Sequence, residues 1–346
     1  MEKSSHGSRR HTGEPWRAEA LGKYDINLSA SSQRRSLADR SARPAQRRSN
    51  QDSYQNEMEQ LMIELETCAP HPALRQFVRY YGQRRLAAGA NLQEPVTARL
   101  GGLLEFHFAG LYRVPSHGPK QYEPCAPMLA VGPMTSRRQL VADGAVEALT
   151  VMLQPCGLFE LFGVPTYLLT DHAAEAHSLL GVSISKLYAR LGEARLFADR
   201  VRLLDRFLLA KAIAQPRTTN IMWCRALTSI TRHQGPLSIR LMAASLNVSV
   251  RQLERRSLEY AGMTPQTVVR VARFLRALEL HRSPNLRHSM SWTEIAQAAG
   301  YYDQMHLIRD FRIMGGATPK TLAAQLEPHH GASLLVSSTK SFGLQQ

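Results

Sequence analysis

The feature that most constrains this chain is a short pattern that occurs twice, at residues 247–265 and 300–319. In each copy a tight turn precedes an amphipathic segment, which ends at a glycine followed three residues later by a proline. Five pairs are related by an offset of 54: Leu253 and Leu307, Arg255 and Arg309, Ser257 and Phe311, Gly262 and Gly316, Pro265 and Pro319. Because the spacing is kept while most surface residues differ, the chain carries two copies of one structural unit.

Turn and cap residues predict that each unit is a short helix, a tight turn and a second helix. Asn247 and Gly300 lie at the turns, and both residue types tolerate a positive φ. Residues of N-cap type precede the four helices: Ser238, Ser249, Ser291 (with Glu294 in capping-box spacing) and Asp303. This order is that of the helix-turn-helix motif, whose second helix enters a major groove. We call residues 239–265 the upstream unit and residues 292–319 the downstream unit.

The second helix of each unit has an apolar face and a polar face. Leu253, Leu307 and Phe311 are expected inside. The opposite faces, which we call the reading faces, consist of Arg251, Gln252, Glu254 and Arg255 upstream, and Gln304, Met305, His306, Ile308 and Arg309 downstream. Arginine pairs with guanine and glutamine with adenine, each pair giving roughly 1–3 kcal/mol of discrimination. These faces are therefore the predicted DNA contacts.

For any single reading-face residue, a phosphate contact or a solvated side chain is the alternative, and Arg309 has a third, an ion pair with Glu294. The strongest candidates for base contacts are Arg251, Arg255, Gln304, His306 and Arg309. Phosphate contacts are expected at helix N-termini and from nearby cations. The predicted set is Ser238, Arg240, Arg287, Ser291 and Lys320.

The segment from about Leu237 to Leu322 resembles the DNA-binding domain of the AraC/XylS family, in which one long helix, here Pro265 to about His281, joins two helix-turn-helix units. The residues that carry the resemblance are Ile295, Ala296, Gly300, Tyr301, Asp303, Gln304, Leu307, Arg309, Phe311, Gly316, Thr318 and Pro319. The resemblance implies a sequence-specific transcription regulator that binds promoter DNA.

The upstream unit departs from the family pattern at two positions. Ser257 stands where phenylalanine is usual, and Leu241 replaces an acidic residue. The missing ring leaves roughly 3 kcal/mol of core burial to be supplied elsewhere. Leu258, Tyr260 and Met263 are candidates to fill the gap.

Charge is distributed unevenly along the chain. The net charge is +15, yet residues 58–215 hold 16 Lys and Arg against 14 Asp and Glu. Residues 216–327 hold 15 against 7, and all but Lys320 of these cations are arginine. Arginine suits bidentate contacts to phosphate and guanine, so the excess supports double-stranded DNA as partner.

Residues 58–215, the sensor region, have mixed patterning. Residues 103–108 and 146–153 are rich in strand formers, residues 72–86 fit either a helix or a strand, and residues 173–214 have helical spacing. Residues 127–139 are expected to be a turn-rich segment that leads to the strand at 146–153. Residues 157–163 are expected to form a short helix. The expected fold class is thus α+β, a β-rich sensor followed by an all-α double helix-turn-helix domain.

The sensor region also resembles the N-terminal effector domain of some regulators of the same family. The residues concerned are Val131–Thr135, Gln154–Pro165 and Leu169–Asp171. The resemblance implies a small β-barrel-like or sandwich sensor with C-terminal helices. The candidate partners besides DNA are a small-molecule effector, RNA polymerase and a second copy of the chain.

The two ends lack apolar periodicity and are expected to be a disordered basic tail (1–57) and a flexible tail (328–346), leaving 216–327 as the DNA-binding domain. Residues 1–57 fit either a basic arm that contacts phosphates or an over-long translation start, with Met58 or Met62 as the true beginning. No apolar run reaches 18 residues, so no membrane partner and a cytoplasmic location are predicted.

Enzymatic chemistry has little support in the sequence. The four cysteines show no ligand spacing, and His107 with Cys156 is a weak candidate for a metal pair or catalytic dyad. Phe106, Phe108, Met152 and Phe159 could line a pocket, but ordinary core is the favoured interpretation for these side chains. We therefore predict no catalytic residue, metal or cofactor. The alternatives are an enzyme localised to DNA by its helix-turn-helix domain and a general DNA-packaging protein.

Overall fold

The computed structural model describes residues 63–87, 91–115, 122–214, 220–232, 238–283 and 290–326. Strands dominate the first half and helices the second, so the α+β expectation is confirmed. The strands are β1 (Ile63–Cys68), β2 (Val78–Leu86), β3 (Asn91–Val96), β4 (Leu103–Ala109), β5 (Arg113–Pro115), β6 (Tyr122–Pro124), β7 (Met128–Val131), β8 (Arg138–Asp143), β9 (Val146–Leu153) and β10 (Ala173–Glu175).

The strands form two antiparallel sheets. The order is β1-β2-β9-β4-β7-β10 in the larger sheet and β3-β8-β5-β6 in the smaller one. The strands expected at 103–108 and 146–153 are present and pair with each other, with Leu103 opposite Met152. Residues 72–86 resolve into a short 3-10 helix, Pro72–Leu74, followed by β2. The prediction of a turn-rich segment at 127–139 was wrong for β7 and for the start of β8, because strands this short carry little periodicity of their own.

Alternation along β4 gives the larger sheet two different faces. Leu104 and Phe106 are buried in a core that includes Leu187 and Leu204, which belong to the helices that follow the sheets. Leu103 belongs to another cluster, with residues of both sheets such as Val96 and Met152. One face of the sheet is thus covered by helices and the other by the smaller sheet.

The helices are α1 (Gly157–Phe162), α2 (Ala176–Leu180), α3 (Val182–Glu193), α4 (Phe197–Ala214), α5 (Asn220–Arg232), α6 (Ile239–Ser245), α7 (Val250–Ala261), α8 (Pro265–Arg282), α9 (Trp292–Ala298), α10 (Gln304–Met314) and α11 (Pro319–Leu326). The short helix expected at 157–163 is α1, and Gly163 ends it with φ 69°. The helical stretch expected at 173–214 begins instead with the three-residue strand β10. None of the helices in the described ranges has the length and apolar character of a membrane span.

Helices α6 and α7 form the expected upstream unit, and α9 and α10 form the downstream unit. Helix α8 joins the two units. A shared core contains Leu253 from the upstream unit, Phe274 from α8, and Leu307 and Phe311 from the downstream unit. Trp223 of α5 belongs to the same cluster. The predicted tails 1–57 and 328–346, with Met58 and Met62, lie outside the described residues.

Candidate nucleic-acid interface

Each predicted turn and cap is present in the structure. Asn247 and Gly300 have φ angles of 53° and 85°. Upstream, the hydroxyls of Ser238 and Ser249 accept from the backbone N–H groups of Leu241 and Gln252, at 3.3 and 3.1 Å. The sharp turn and side-chain caps together fix where each upstream helix begins.

The downstream unit is capped by two carboxylates. Ser291 and Glu294 form a reciprocal capping box, with 2.6 Å between the Ser291 nitrogen and a Glu294 oxygen. The Asp303 carboxylate accepts from the backbone N–H of His306 at 2.8 Å. These hydrogen bonds lower the pKa of Glu294 and of Asp303 below their ordinary values. Glu294 thus closes the cap through its Oε2 atom, and no ion pair between Glu294 and Arg309 is found among the described residues.

The helix faces predicted to point inward do so. Leu253, Leu307 and Phe311 each have 0% of their surface exposed. The reading faces point outward: Arg251, Gln252, Arg255, Gln304, Met305, His306 and Arg309 are exposed, and Glu254 and Ile308 are half-buried. The structure therefore groups four of the predicted side chains on α7 and five on α10. Their role in contacting bases stays a prediction.

Two downstream side chains are oriented by local hydrogen bonds. The Thr293 hydroxyl donates to Gln304 Oε1 at 3.0 Å, which fixes the orientation of the Gln304 amide group. His306 Nδ1 lies 2.9 Å from an Asp303 carboxylate oxygen. Tyr302, with 90% of its surface exposed, lies just before the N-terminal end of α10. It was not among the residues predicted to contact DNA. A lone exposed tyrosine carries no periodic signal that would have identified it.

The structure describes the positions of four of the five predicted phosphate contacts. Arg240 and Lys320 are exposed, and Ser238 and Ser291 are N-caps as described above. Arg287 lies outside the described residues. All five stay predictions as phosphate contacts.

An ion pair that was not predicted from the sequence joins α8, the linker helix, to the downstream unit. Arg270 of α8 and Asp310 of α10 lie 2.5 Å apart, and Asp310 is 7% exposed. The two residues are far apart in sequence, so only the packed fold brings them together. The pair connects α10 to α8 on the side away from the reading face.

The gap left by Ser257 is filled as the sequence suggested, with one exception. Tyr260 and Met263 are buried, whereas Leu258 is 37% exposed. The Ser257 hydroxyl donates to the Met263 carbonyl at 2.6 Å. The ring of Phe159, from α1 of the sensor region, packs edge-on against Tyr260 with centroids 4.3 Å apart. The sensor region thus completes the core of the upstream unit.

The sensor region also holds the C-terminal end of α7 by hydrogen bonds. The hydroxyls of Thr166 and Thr170 donate to the carbonyls of Tyr260 and Gly262, at 2.9 and 2.6 Å. Gly262 has φ 74°, and a Cβ at this position would come within 2.8 Å of Pro133. Glycine is therefore required here both for the helix end and for close contact with the sensor region.

A matching contact is made to the C-terminal end of α10. The backbone N–H of Ala98 donates to the Met314 carbonyl at 2.9 Å. Arg137 lies against Gly316, where a Cβ would meet the Arg137 side chain at 2.4 Å. The sensor region contacts both recognition helices at the ends opposite their N-caps, so the two reading faces stay uncovered.

His107 and Cys156, the weak catalytic candidate, lie in different places. His107 Nε2 is 3.8 Å from a Glu105 oxygen and 3.7 Å from Cys125 Sγ. Burial lowers the pKa of His107, but the hydrogen bonds to Cys125 and Glu105 outweigh it and raise the pKa to about 9. Cys156 instead contacts Cys224, and this contact together with burial raises the pKa of the Cys224 thiol.

The four side chains considered as pocket lining are buried or packed against other side chains. Phe106 and Met152 are buried, Phe108 stacks on Tyr188, and Phe159 packs on Tyr260 as described. Within the described residues, no group of three or more His, Cys, Asp or Glu is placed to hold a metal ion.

Two family models match the chain. Residues 242–325 match a helix-turn-helix domain, and residues 66–175 match a domain of unknown function, DUF6597. No curated protein matches by sequence. The C-terminal match spans both units and the helix that joins them, so this part of the chain is a helix-turn-helix domain of the AraC type.

Several solved structures are similar to this chain or to its C-terminal part. ToxT from Vibrio cholerae O395 is 10% identical, covers 76% of this chain and 98% of its own length, and has a TM-score of 0.39. The DNA-binding domain of AdpA, solved in complex with a target DNA, is 20% identical over 32% of this chain and 97% of its own, with a TM-score of 0.29. The C-terminal domain of AraT from Geobacillus stearothermophilus is 26% identical over 32% and 88%, with a TM-score of 0.28.

Proposed function

We infer that this chain, a DNA-binding transcription regulator with an AraC-type helix-turn-helix domain, recognises one asymmetric DNA site through both of its reading faces. The observation that carries this inference is the pair of capped, exposed helices α7 and α10 on one shared core. Two recognition helices in one chain contact successive major-groove segments when they lie about one helical turn, or roughly 34 Å, apart. The expected site is thus two unlike blocks about 10 base pairs apart.

The sensor region supports a regulatory role through its contacts with both helices. Thr166, Thr170 and Ala98 bond to backbone carbonyls at or just beyond the C-terminal ends of α7 and α10. A change in the sensor region that moves these contacts changes the spacing of the reading faces. An effector that binds the two arrangements with different affinity therefore shifts the affinity for DNA, and DNA shifts the affinity for effector equally.

The remaining partners and boundaries are part of the proposal. We retain residues 58–215 as the sensor and dimerisation domain and 216–327 as the DNA-binding domain. A small-molecule effector, RNA polymerase and a second copy of the chain are proposed partners, and the bacterial cytoplasm is the proposed location. No catalytic activity is proposed, because the reading faces and the sensor contacts account for the features described above without one.

Selection of bound DNA from a random library tests the proposal. The full chain is expected to enrich one asymmetric sequence with two blocks about one helical turn apart. A variant with Arg251→Ala and Arg255→Ala is expected to lose the information in one block, and a variant with Gln304→Ala and Arg309→Ala in the other. Enrichment of a palindrome, or of no sequence at all, would refute reading by two unlike heads in one chain.

A further inference from the structure

Three largely apolar side chains lie at the N-terminal half of α10, the recognition helix of the downstream unit. Tyr302 directly precedes the N-cap Asp303 and is 90% exposed. Met305 lies in the first turn of α10 and is 70% exposed. Ile308, three residues further along the same face, is half-buried. We call Tyr302, Met305 and Ile308 the apolar patch.

Local contacts hold the Tyr302 ring beside the first turn of α10. The ring lies edge-on to the His306 ring, with centroids 6.0 Å apart. His306 Nδ1 is in turn 2.9 Å from an oxygen of the Asp303 carboxylate. The N-terminal residues of a recognition helix are the ones that contact base edges. Tyr302 and Met305 therefore lie at the part of α10 that meets the bases when the helix occupies a major groove.

Tyr302 is an extra residue that the upstream turn lacks. Both turns close with the same backbone hydrogen bond, 3.0 Å long upstream, where Val248 donates, and 2.9 Å long downstream, where Tyr301 donates. Upstream, Val248 is followed directly by the N-cap Ser249. Downstream, Tyr302 stands between Tyr301 and the N-cap Asp303. The upstream unit therefore has no side chain at the place of Tyr302.

At the positions equivalent to Met305 and Ile308, the upstream reading face is charged. The offset of 54 pairs Met305 with Arg251 and Ile308 with Glu254. Met305 and Arg251 are both exposed, and Ile308 and Glu254 are both half-buried. Because the two units share one backbone plan, the difference between them at these positions is one of side-chain chemistry. The two reading faces therefore suit different base edges.

The major groove offers one apolar group to a protein, the 5-methyl group of thymine. Its other recognition groups are hydrogen-bond donors and acceptors, which Arg251 and Glu254 suit on guanine and cytosine. Met305 and Ile308 have no strong hydrogen-bonding group. Their contact with a thymine methyl group removes apolar surface of both partners from water, whereas contact with a donor or acceptor deprives that group of a hydrogen bond. Thymine is therefore the base that the patch favours.

We propose that the apolar patch contacts thymine 5-methyl groups in the major groove, so that the downstream unit selects a block that contains thymine. Tyr302 then joins the specificity-determining residues of this unit. The proposal rests on the proposed function and deepens it by naming the base that one of the two reading faces selects. Met305 and Ile308 stand between Gln304 and Arg309 along α10, so the surface that faces DNA is the one that carries the patch.

Replacement of thymine by uracil tests the proposal, because it removes the 5-methyl group and keeps every hydrogen-bonding group of the base. The full chain first selects its DNA site, and each thymine of that site is then replaced in turn. Affinity is measured by fluorescence anisotropy. Loss of one buried methyl group corresponds to about a fourfold loss of affinity, which is expected for at least one thymine in the block assigned to the downstream unit.

Thymines of the other block are the matched control. Their replacement by uracil should change the affinity by less than about twofold, because the upstream reading face has charged side chains at the equivalent positions. Losses below about twofold at every thymine of the downstream block overturn the proposal. Equal losses in the two blocks overturn it as well, since methyl recognition would then not depend on the patch.

Variants of the two exposed patch residues locate the contact. Met305→Gln should abolish the discrimination between thymine and uracil at one position, whereas Met305→Leu, which stays apolar, should retain most of it. Tyr302→Ala should lower the discrimination, and Tyr302→Phe should retain it, because the ring makes the contact. Substitutions at exposed positions like these leave the fold largely unaffected. Discrimination that is unchanged in both Met305→Gln and Tyr302→Ala contradicts the assignment.

The same measurements separate this proposal from the proposed function. Two unlike blocks without any effect of uracil overturn the thymine contact and leave the proposed function intact. A palindromic site whose thymines show the effect, with the effect lost in Met305→Gln, refutes the asymmetric site and leaves the thymine contact intact. Patch variants that bind DNA as the unaltered chain does, but no longer regulate transcription in a reconstituted assay, would assign the patch to a protein partner and overturn the proposal.

Discussion

The two helix-turn-helix units have the same backbone plan but complete their cores differently. In the downstream unit, Phe311 packs edge-on against Phe274 of the linker helix and Trp292 of α9, with centroids 4.9 and 5.6 Å apart. In the upstream unit, Ser257 takes the equivalent position and uses its hydroxyl on the Met263 carbonyl. Tyr260 then fills the space and packs against Phe159 of the sensor region.

The two units depend on the sensor region to different extents. The downstream unit draws its aromatic core from its own helices and the linker, and the Arg270–Asp310 ion pair adds a second connection to that linker. The upstream unit depends on a ring from the sensor region. Both helices are contacted by the sensor region at their C-terminal ends, but among the described residues an aromatic pair links the sensor region to α7 and none links it to α10. A change in the sensor region should therefore loosen the upstream unit first.

The largest expected effect is on the self-contained unit. Phe311→Ala should lower the free energy of unfolding by about 3–5 kcal/mol, because it removes a fully buried ring with two aromatic neighbours. Urea denaturation followed by circular dichroism measures the change. Ile313→Ala, at a partly exposed position on the same helix, is the control and should cost less than about 1 kcal/mol. Equal losses in the two variants would show that Phe311 is not the centre of this core.

The next effect tests the dependence of the upstream unit on the sensor region. Phe159→Ala should cost about 2 kcal/mol, less than full burial of a phenylalanine, because its ring is only partly covered. Hydrogen exchange should rise in α7 and stay unchanged in α10. Tyr167→Ala, at an exposed position of the same region, is the control. An equal rise in both helices would contradict the division into a dependent and a self-contained unit.

The sequence predicted the local features of both units because each depends on nearby residues. A cap or a tight turn is decided within a few positions, so Ser291, Asp303, Asn247 and Gly300 identified the helix boundaries. The burial of Leu307 follows from helical spacing in the same way. The reading faces followed too, since they are the faces opposite the buried residues.

The features that the sequence did not predict depend on distant contacts. Phe159 was weighed as core or pocket within its own domain, and nothing near it in sequence points to Tyr260 about a hundred residues away. The short strands β7 and β10 are similarly formed by pairing with β4 and with each other, not by their own periodicity.

The two units are expected to read separate blocks of the DNA site. Arg309→Ala should cost roughly 1–3 kcal/mol in binding and relax sequence preference in the block read by the downstream unit. Arg255→Ala, the equivalent change upstream, should relax the other block only. Competition between the selected site and a scrambled site measures both. Unchanged discrimination in the Arg309 variant would remove it from the reading face, and relaxation of the same block by both variants would exclude two separate heads.

The smallest effect separates phosphate contacts from base contacts in the two units. Arg240→Ala upstream and Lys320→Ala downstream should each reduce the slope of log affinity against log salt by about 0.9, because each removes one cation that neutralises a phosphate. Both side chains are exposed, so the fold should be unaffected and the preference for the selected site unchanged. Affinities measured by anisotropy between about 50 and 200 mM salt give the slope. A steeper slope, or a change in sequence preference, would assign the residue to a different role; a loss confined to Arg240 would mean that only the upstream unit anchors its first helix through a phosphate.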